Sequence, residues 1–252
     1  MIFLKTEKEI ETLKEGGSKL AWILKTLKAE AKAGQPLSYL DERAYTLIKE
    51  IGAEPAFLNY QPSFALKPFP NSLCVSVNET IVHGIPYKNV FLKNGDVVSL
   101  DLGIKYKGLY TDMAITIGIG KIQKEYKKMI KVCQIALKRA IQVAKVNNTL
   151  GDIGYEITRI IEGNGFKVIR ELVGHGVGYY PHEDPYVCNF GEKGEGEVLK
   201  KGMVLAIEPM LTNGSGEIEE NPDGSFRTKD KAVAVHFEKT IAVGDKAGMI
   251  LT

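Results

Sequence analysis

Two stretches of the chain end alike in an acid. "GDVVSLD" (95–101) and "GMVLAIE" (202–208) each open on Gly, run through mostly apolar residues and close on a carboxylate, Asp101 or Glu208. Two further stretches, "DMAITIG" (112–118) and "EKTIAVG" (238–244), each begin on a carboxylate, Asp112 or Glu238, and reach Gly six residues later. A charge on a buried strand is costly unless something neutralises it. Alternate residues of a strand share a face. Val98, Leu100 and Leu102 therefore oppose Ser99, Asp101 and Gly103, while Met113, Ile115 and Ile117 oppose Asp112, Ala114 and Thr116. In the same way Met203, Leu205 and Ile207 oppose Glu208, and Phe237, Ile241 and Val243 oppose His236, Glu238, Thr240 and Ala242. All four acids fall on the faces with smaller residues, where a pocket would lie. A turn around Tyr106-Lys107-Gly108 is expected to set Asp101 within one residue of directly opposite Asp112, with Cβ atoms roughly 5 Å apart. Acids that close keep a proton or take a cation. A two-metal centre, with ions about 3.5–4 Å apart, fits such a gap.

The histidines narrow the chemistry. There are four, at 83, 175, 182 and 236. Neutral imidazole beside carboxylates is a mixed nitrogen and oxygen donor set, suited to Mn, Fe, Co or Zn more than to Mg or Ca. His175 opens the Gly-rich "HGVGYYPH", which can run from strand to loop. His83 lies in "VHGIP", where Gly84 and Pro86 signal a rigid turn. His236 shares a strand face with Glu238 and is either a partner that orients a ligand or a structural or solvated residue.

The elements that must position these residues come in a repeated order. Segment 6–31 reads as a helix: Thr6 can cap with Glu9, and Ile10, Leu13, Leu20, Ile23, Leu24 and Leu27 form an apolar stripe. The Gly16–Gly17 pair predicts a kink or close packing there. A helix at 38–51 follows, then a loop-rich stretch and strands near 96–104 and 109–119. The order recurs as helices 121–145 and 150–163, loops, and strands near 203–210 and 232–243. Leu37, Leu40, Ala44, Leu47, Ile48 and Gly52 match Leu150, Ile153, Ile157, Ile160, Ile161 and Gly165 at a constant offset of 113. One repeat of this length suggests a duplication about a pseudo-twofold axis within a single domain of residues 1–252, with halves roughly 1–120 and 121–252. Helix 121–145 is markedly basic, with Met129, Ile130, Cys133, Ile135 and Leu137 expected on its buried side.

Bulk properties agree with a soluble chain. Hydrophobic residues make up 44% and charged residues 25%, while a net charge of +2 argues for neither nucleic-acid nor membrane binding. The three cysteines, 74, 133 and 188, form no CxxC and read as reduced thiols. No apolar run approaches the ~20 residues of a membrane span, and the N-terminal stretch has no signal-peptide core. The expected location is the cytoplasm.

"VSVNETIVHGIP", "VVSLDLGIKYKGLYTDMAIT", "LVGHGVG", "PHEDP", "GMVLAIEPM" and "TKDKAVAVHFEKTI" together resemble type I methionine aminopeptidase, in order and spacing, over nearly the whole chain. The resemblance implies an α+β pita-bread fold, with a curved antiparallel sheet covered by helices on its outer face. It implies removal of N-terminal methionine from nascent chains and peptides, by water activated at two divalent ions (Co, Mn, Fe, Zn or Ni). Carried over, Asp101 chelates one metal, His175 and Glu208 bind the other, and Asp112 and Glu238 bridge. His83 would contact the substrate near the scissile nitrogen, His182 would donate to the scissile carbonyl, and Glu208 would shuttle the proton. Phe69 and Cys74 of "FPNSLC", with Phe226, would line the methionine pocket. Two departures bear on that pocket: Pro181 stands where an aromatic usually precedes the second histidine, and loop 59–70 is longer than usual. A monomer is expected, and transient ribosome contact through the basic helix would suit action on nascent chains. The rival readings are the same fold with Xaa-Pro specificity and a non-catalytic relative that binds peptides or proteins.

Overall fold

The computed structural model describes residues 1–62 and 67–252. Its first half runs α1 (Glu7–Glu30), α2 (Leu37–Glu50), β1 (Glu54–Pro55), β2 (Cys74–Val77), β3 (Thr80–Val82), β4 (Val97–Tyr106) and β5 (Leu109–Gly118). The second runs α3 (Lys124–Val143), α4 (Leu150–Glu162), β6 (Lys167–Val168), β7 (Gly174–Gly176), β8 (Glu183–Val187), β9 (Val204–Ile207) and β10 (Met210–Thr212). It continues with β11 (Ile218–Glu220), β12 (Phe226–Thr228), β13 (Ala234–His236), β14 (Lys239–Ala242) and β15 (Met249–Ile250). Among the described residues, every pairing between these strands is antiparallel.

Local rules explain the helices. Thr6 accepts the Glu9 backbone N–H while the Glu9 carboxylate accepts the Thr6 N–H, and Thr149 and Asp152 make the same reciprocal box at α4. Gly52 and Gly165, just past α2 and α4, both adopt left-handed φ (71° and 86°), which lets the chain leave each helix sharply. The paired glycines leave α1 unbroken and serve close packing. A Cβ on Gly17 would lie 2.2 Å from the Leu251 carbonyl oxygen, and one on Gly16 would lie 3.1 Å from Tyr106 Cβ.

Each half has its own apolar layer. Leu20, Ile23, Leu24 and Leu27 of α1 and Leu40, Ala44 and Ile48 of α2 cluster with Val98, Leu100, Leu102, Met113 and Ile117. Met129, Cys133, Leu137, Ile153, Ile157 and Ile161 of α3 and α4 cluster with Leu205, Ile207, Phe237, Ile241 and Val243. These are the faces that alternation assigned to helices, so the acids face the other way. On α3 the stripe is Met129, Val132, Cys133, Ala136, Leu137, Ala140 and Ile141. Ile135, expected inside, falls off this 3–4 spacing and is exposed.

Two sequence expectations about the strands change. The β4–β5 turn has two residues, Lys107 and Gly108, both left-handed (φ 48° and 86°). Asp112 therefore pairs with Gly103 and Asp101 with Ala114, so the two acids are diagonal neighbours on one face. The expected strands near 203–210 and 232–243 each break in two. Pro209 lacks an N–H to continue the ladder, and β9 pairs with β14 while β10 pairs with β13. Glu208 and Glu238 occupy these breaks, where each strand passes from one sheet to the next.

The halves are tied where the acids lie. Thr240 Oγ1 accepts the Asp112 N–H (2.9 Å) and donates to the Asp112 carbonyl (2.8 Å). Thr116 Oγ1 likewise accepts the His236 N–H (3.0 Å) and donates to its carbonyl (2.6 Å). The Glu238 N–H donates to the Ala114 carbonyl at 3.0 Å.

Candidate metal centre

A cavity of about 1200 Å³ opens on the face of the sheets away from the helices. Its wall includes His83, Asp101, Asp112, His175, His182, Glu208 and Glu238, together with Phe69, Cys74 and Phe226. The ten residues to which the resemblance gave a role thus border one space, and His236 does not line it. Asp112, His175, Glu208 and Glu238 are buried, and Asp101 is partly accessible from the cavity.

The acids crowd one another. Burial, then the charge of Glu208, raises the Asp112 pKa to about 7, and burial raises that of Glu208 to about 7 against the pull of His175. Burial and the neighbouring carboxylates hold Asp101 and Glu238 well above the ordinary range. Asp101 Oδ1 and Glu238 Oε1 are buried without a hydrogen-bond partner. A cation is the group that such oxygens accept. Among the described residues, two sets of donor atoms lie within 4.8 Å of one another, Asp112/His175/Glu238 and Glu208/His236/Glu238. The residues present therefore fit divalent metal.

The imidazoles are set for different tasks. His175 Nδ1 lies 2.9 Å from the Gly176 carbonyl, which can accept its proton and leave Nε2 with a free lone pair, 3.6 Å from Glu208 Oε1. Gly174 and Gly176 flank it because a Cβ at either position would meet a backbone carbonyl oxygen, at 2.3 and 2.2 Å. His83 has left-handed φ (57°), and its ring meets Phe226 edge-on at 5.8 Å. Burial and the nearby His236 lower its pKa to about 4. Solvent reaches His182 from the cavity, yet the surrounding walls and then His175 and His83 hold its pKa well below the usual value. His236 is 1% exposed, so the solvated reading does not hold, and burial lowers its pKa to about 4.

Several site residues escaped the sequence reading. Tyr60 stacks on His182 (5.3 Å between centroids, 19° between planes), with its hydroxyl 3.0 Å from Nδ1. Pro181 is buried, and the ring beside His182 is that of Tyr60. Long loop 59–70, whose residues 63–66 lie outside the described ones, is pinched at its base. The Asn59 N–H donates to the Phe69 carbonyl (2.8 Å) and the Phe69 N–H to the Tyr60 carbonyl (2.9 Å), which keeps both rings at the cavity. Glu183, next to His182, accepts backbone N–H groups from Tyr179 and Tyr180 and forms a fully buried ion pair with Lys5. Asn189 donates to the Glu208 carbonyl at 3.1 Å. Of these, "PHEDP" and loop 59–70 stood out in sequence, the loop by its length alone and not by Tyr60. A Tyr or Lys whose partner lies more than a hundred residues away gives no local signal.

Residues 12–245 match metallopeptidase family M24. The chain belongs to this family. Relatives within family M24 match end to end: a methionine aminopeptidase of Clostridium perfringens is 41% identical over 100% of this chain and 99% of its own length. Methionine aminopeptidase 1 of Bacillus subtilis is 40% identical with the same coverage. The crystal structure of a methionine aminopeptidase from Thermotoga maritima superposes with a TM-score of 0.94 at 38% identity, covering 100% of this chain and 99% of that one. A prolidase from Pyrococcus horikoshii gives 0.78 at 25% identity, covering 99% of this chain but 63% of its own. The fold is the pita-bread fold these M24 enzymes share. Among the described residues, no helix is long and apolar enough to cross a membrane.

Proposed function

We propose that this protein is a methionine aminopeptidase that hydrolyses the first peptide bond of chains beginning with free methionine. The observation that carries the reading is the set of buried carboxylates and imidazoles around one cavity, in a chain matched end to end by methionine aminopeptidases. Asp101, Asp112, His175, Glu208 and Glu238 would hold two divalent ions, drawn from Co, Mn, Fe, Zn and Ni. Bound there, the ions would supply hydroxide near neutral pH and stabilise the charge that develops on the scissile carbonyl.

The chain's own groups do the rest. His182, held neutral, donates to the scissile carbonyl oxygen, and Tyr60 fixes its ring plane. His83, neutral for the same reason, meets the scissile amide nitrogen. Glu208 takes up the proton that the attacking water gives up and passes it to the departing amine. Phe69, Cys74 and Phe226 surround the methionine side chain, and the free substrate amine occupies the acidic end of the cavity. An acylated terminus has no such amine and would be refused.

The reading takes residues 1–252 as one catalytic domain of two pseudo-symmetric halves, acting as a cytoplasmic monomer on nascent chains. The exposed lysines of α3 are the surface through which it would touch the ribosome in passing. The test is reconstitution of chelated protein with each metal, assayed on Met-Ala-Ser, formyl-Met-Ala-Ser and Ala-Pro-Ala. Cleavage of the first peptide alone supports the assignment. Preferential cleavage of Ala-Pro-Ala would transfer it to Xaa-Pro chemistry.

A further inference from the structure

His236 lies outside the ligand set that the family resemblance supplies, yet it is among the most enclosed polar side chains of the protein, at 1% exposure. Both its ring nitrogens are buried without a hydrogen-bond partner. An imidazole in that state is costly to bury unless a neighbour uses it. The neighbour is Glu208: His236 Nε2 stands 3.3 Å from Oε2, while Oε1 of the same carboxylate faces His175 Nε2 at 3.6 Å. Glu208 is thus flanked by imidazoles, one on each oxygen. The two imidazoles differ in place. His175 lines the cavity and His236 does not, so His236 backs the carboxylate from behind the wall. The backbone of His236 is itself fixed, since Thr116 Oγ1 bonds both its N–H and its carbonyl.

We infer that His236 is a positioning residue. It turns its Nε2–H onto Glu208 Oε2 and so keeps Oε1 directed at the ion and the leaving amine. This rests on the reading of the cavity as a metal centre. The donor atoms of Glu208, His236 and Glu238 lie within 4.8 Å of one another, a spacing an ion could also occupy. The position of the ring behind the wall favours support over ligation. A carboxylate freed from such a partner samples rotamers that do not coordinate, and partners of this kind typically govern metal affinity by 10–100-fold.

The experiment compares wild type, His236→Ala and His236→Gln as chelated full-length protein, titrated with Mn2+ by calorimetry at fixed pH. Thermal melts of the same samples report the fold. His236→Ala is expected to weaken Mn2+ binding by about 10–100-fold and, at saturating Mn2+, to lower kcat on Met-Ala-Ser with little change in KM. His236→Gln keeps a neutral N–H donor of similar reach, and both affinity and kcat should stay within about threefold of wild type. Should His236→Ala not fold, His236→Leu fills the space without a donor and carries the same expectation. The inference is overturned if removal of the imidazole leaves affinity unchanged. It is equally overturned if Gln fails as badly as Ala, which would make the imidazole a ligand. Wild-type protein that binds no Mn2+ would overturn the metal-centre reading itself, and this role with it.

Discussion

Replacing Asp112 by Asn should stabilise the metal-free protein while destroying the enzyme. Asp112 is 5% exposed, and burial together with the charge of Glu208 raises its pKa from 3.8 to about 7. Between those values the folded chain keeps a proton that the unfolded chain has released, so stability falls as pH rises through the window. Above pH 7 the loss is complete. A shift of about three units corresponds to roughly 4 kcal/mol. Asn has the same shape and no charge, and its Oδ1 can still accept the Met113 N–H that Asp112 takes at 2.9 Å. In chelator at pH 8, Asp112→Asn should therefore melt higher by about 8–16 °C, using about 2–4 °C per kcal/mol for a chain of this size. At pH 5 the gain should shrink to less than half. Burial holds His83 and His236 at about 4, so their contribution is present above the unfolded value of 6.5 and lost as pH falls towards 4. Both proteins share most of that trend, and their difference reports Asp112 together with its charge coupling to Asp101, Glu238 and His236. With Mn2+ at about a thousand times its Kd, wild type gains about 4 kcal/mol and the variant gains little, so the order of melting converges or reverses. Scanning calorimetry across pH, with chelator and with Mn2+, measures all of this. A variant less stable than wild type in chelator at pH 8, or a gap equal at both pH values, refutes the reasoning.

Two further substitutions probe the support of the site. Lys5→Met strands the buried Glu183 carboxylate, which keeps only its two backbone donors, and should cost roughly 3–5 kcal/mol in urea unfolding; adding Glu183→Gln should recover most of it, and no recovery would mean that the ion pair is not the cause. Gly84→Ala would put a Cβ 2.3 Å from the Val75 carbonyl oxygen, displacing the turn that carries His83. Its kcat should fall at least tenfold, about 1.4 kcal/mol, with Mn2+ affinity kept, and unchanged kcat would separate His83 from the reaction.

What the sequence made legible was local or periodic. Alternation put Asp101 and Asp112 on the face opposite Val98, Leu100 and Leu102, and those residues do pack under α1 and α2. The Thr6–Glu9 box and the glycines after α2 and α4 are likewise short-range signals. The diagonal register of Asp101 and Asp112 depended on whether the turn had two residues or three, and "YKGL" fits either reading. The breaks at Glu208 and Glu238 exist because each strand serves two sheets, a tertiary fact that apolar periodicity through 203–210 conceals. The pairings Lys5–Glu183, Tyr60–His182 and His236–Glu208 join residues 178, 122 and 28 positions apart. Only the folded chain brings them together.

The most direct trial of the whole account is anomalous diffraction from crystals of the protein grown with saturating Mn2+. Manganese density is expected, enclosed by Asp101, Asp112, His175, Glu208 and Glu238, and none there for Asp112→Asn. Manganese absent from those side chains, in crystals of a protein that still cleaves Met-Ala-Ser, would contradict it.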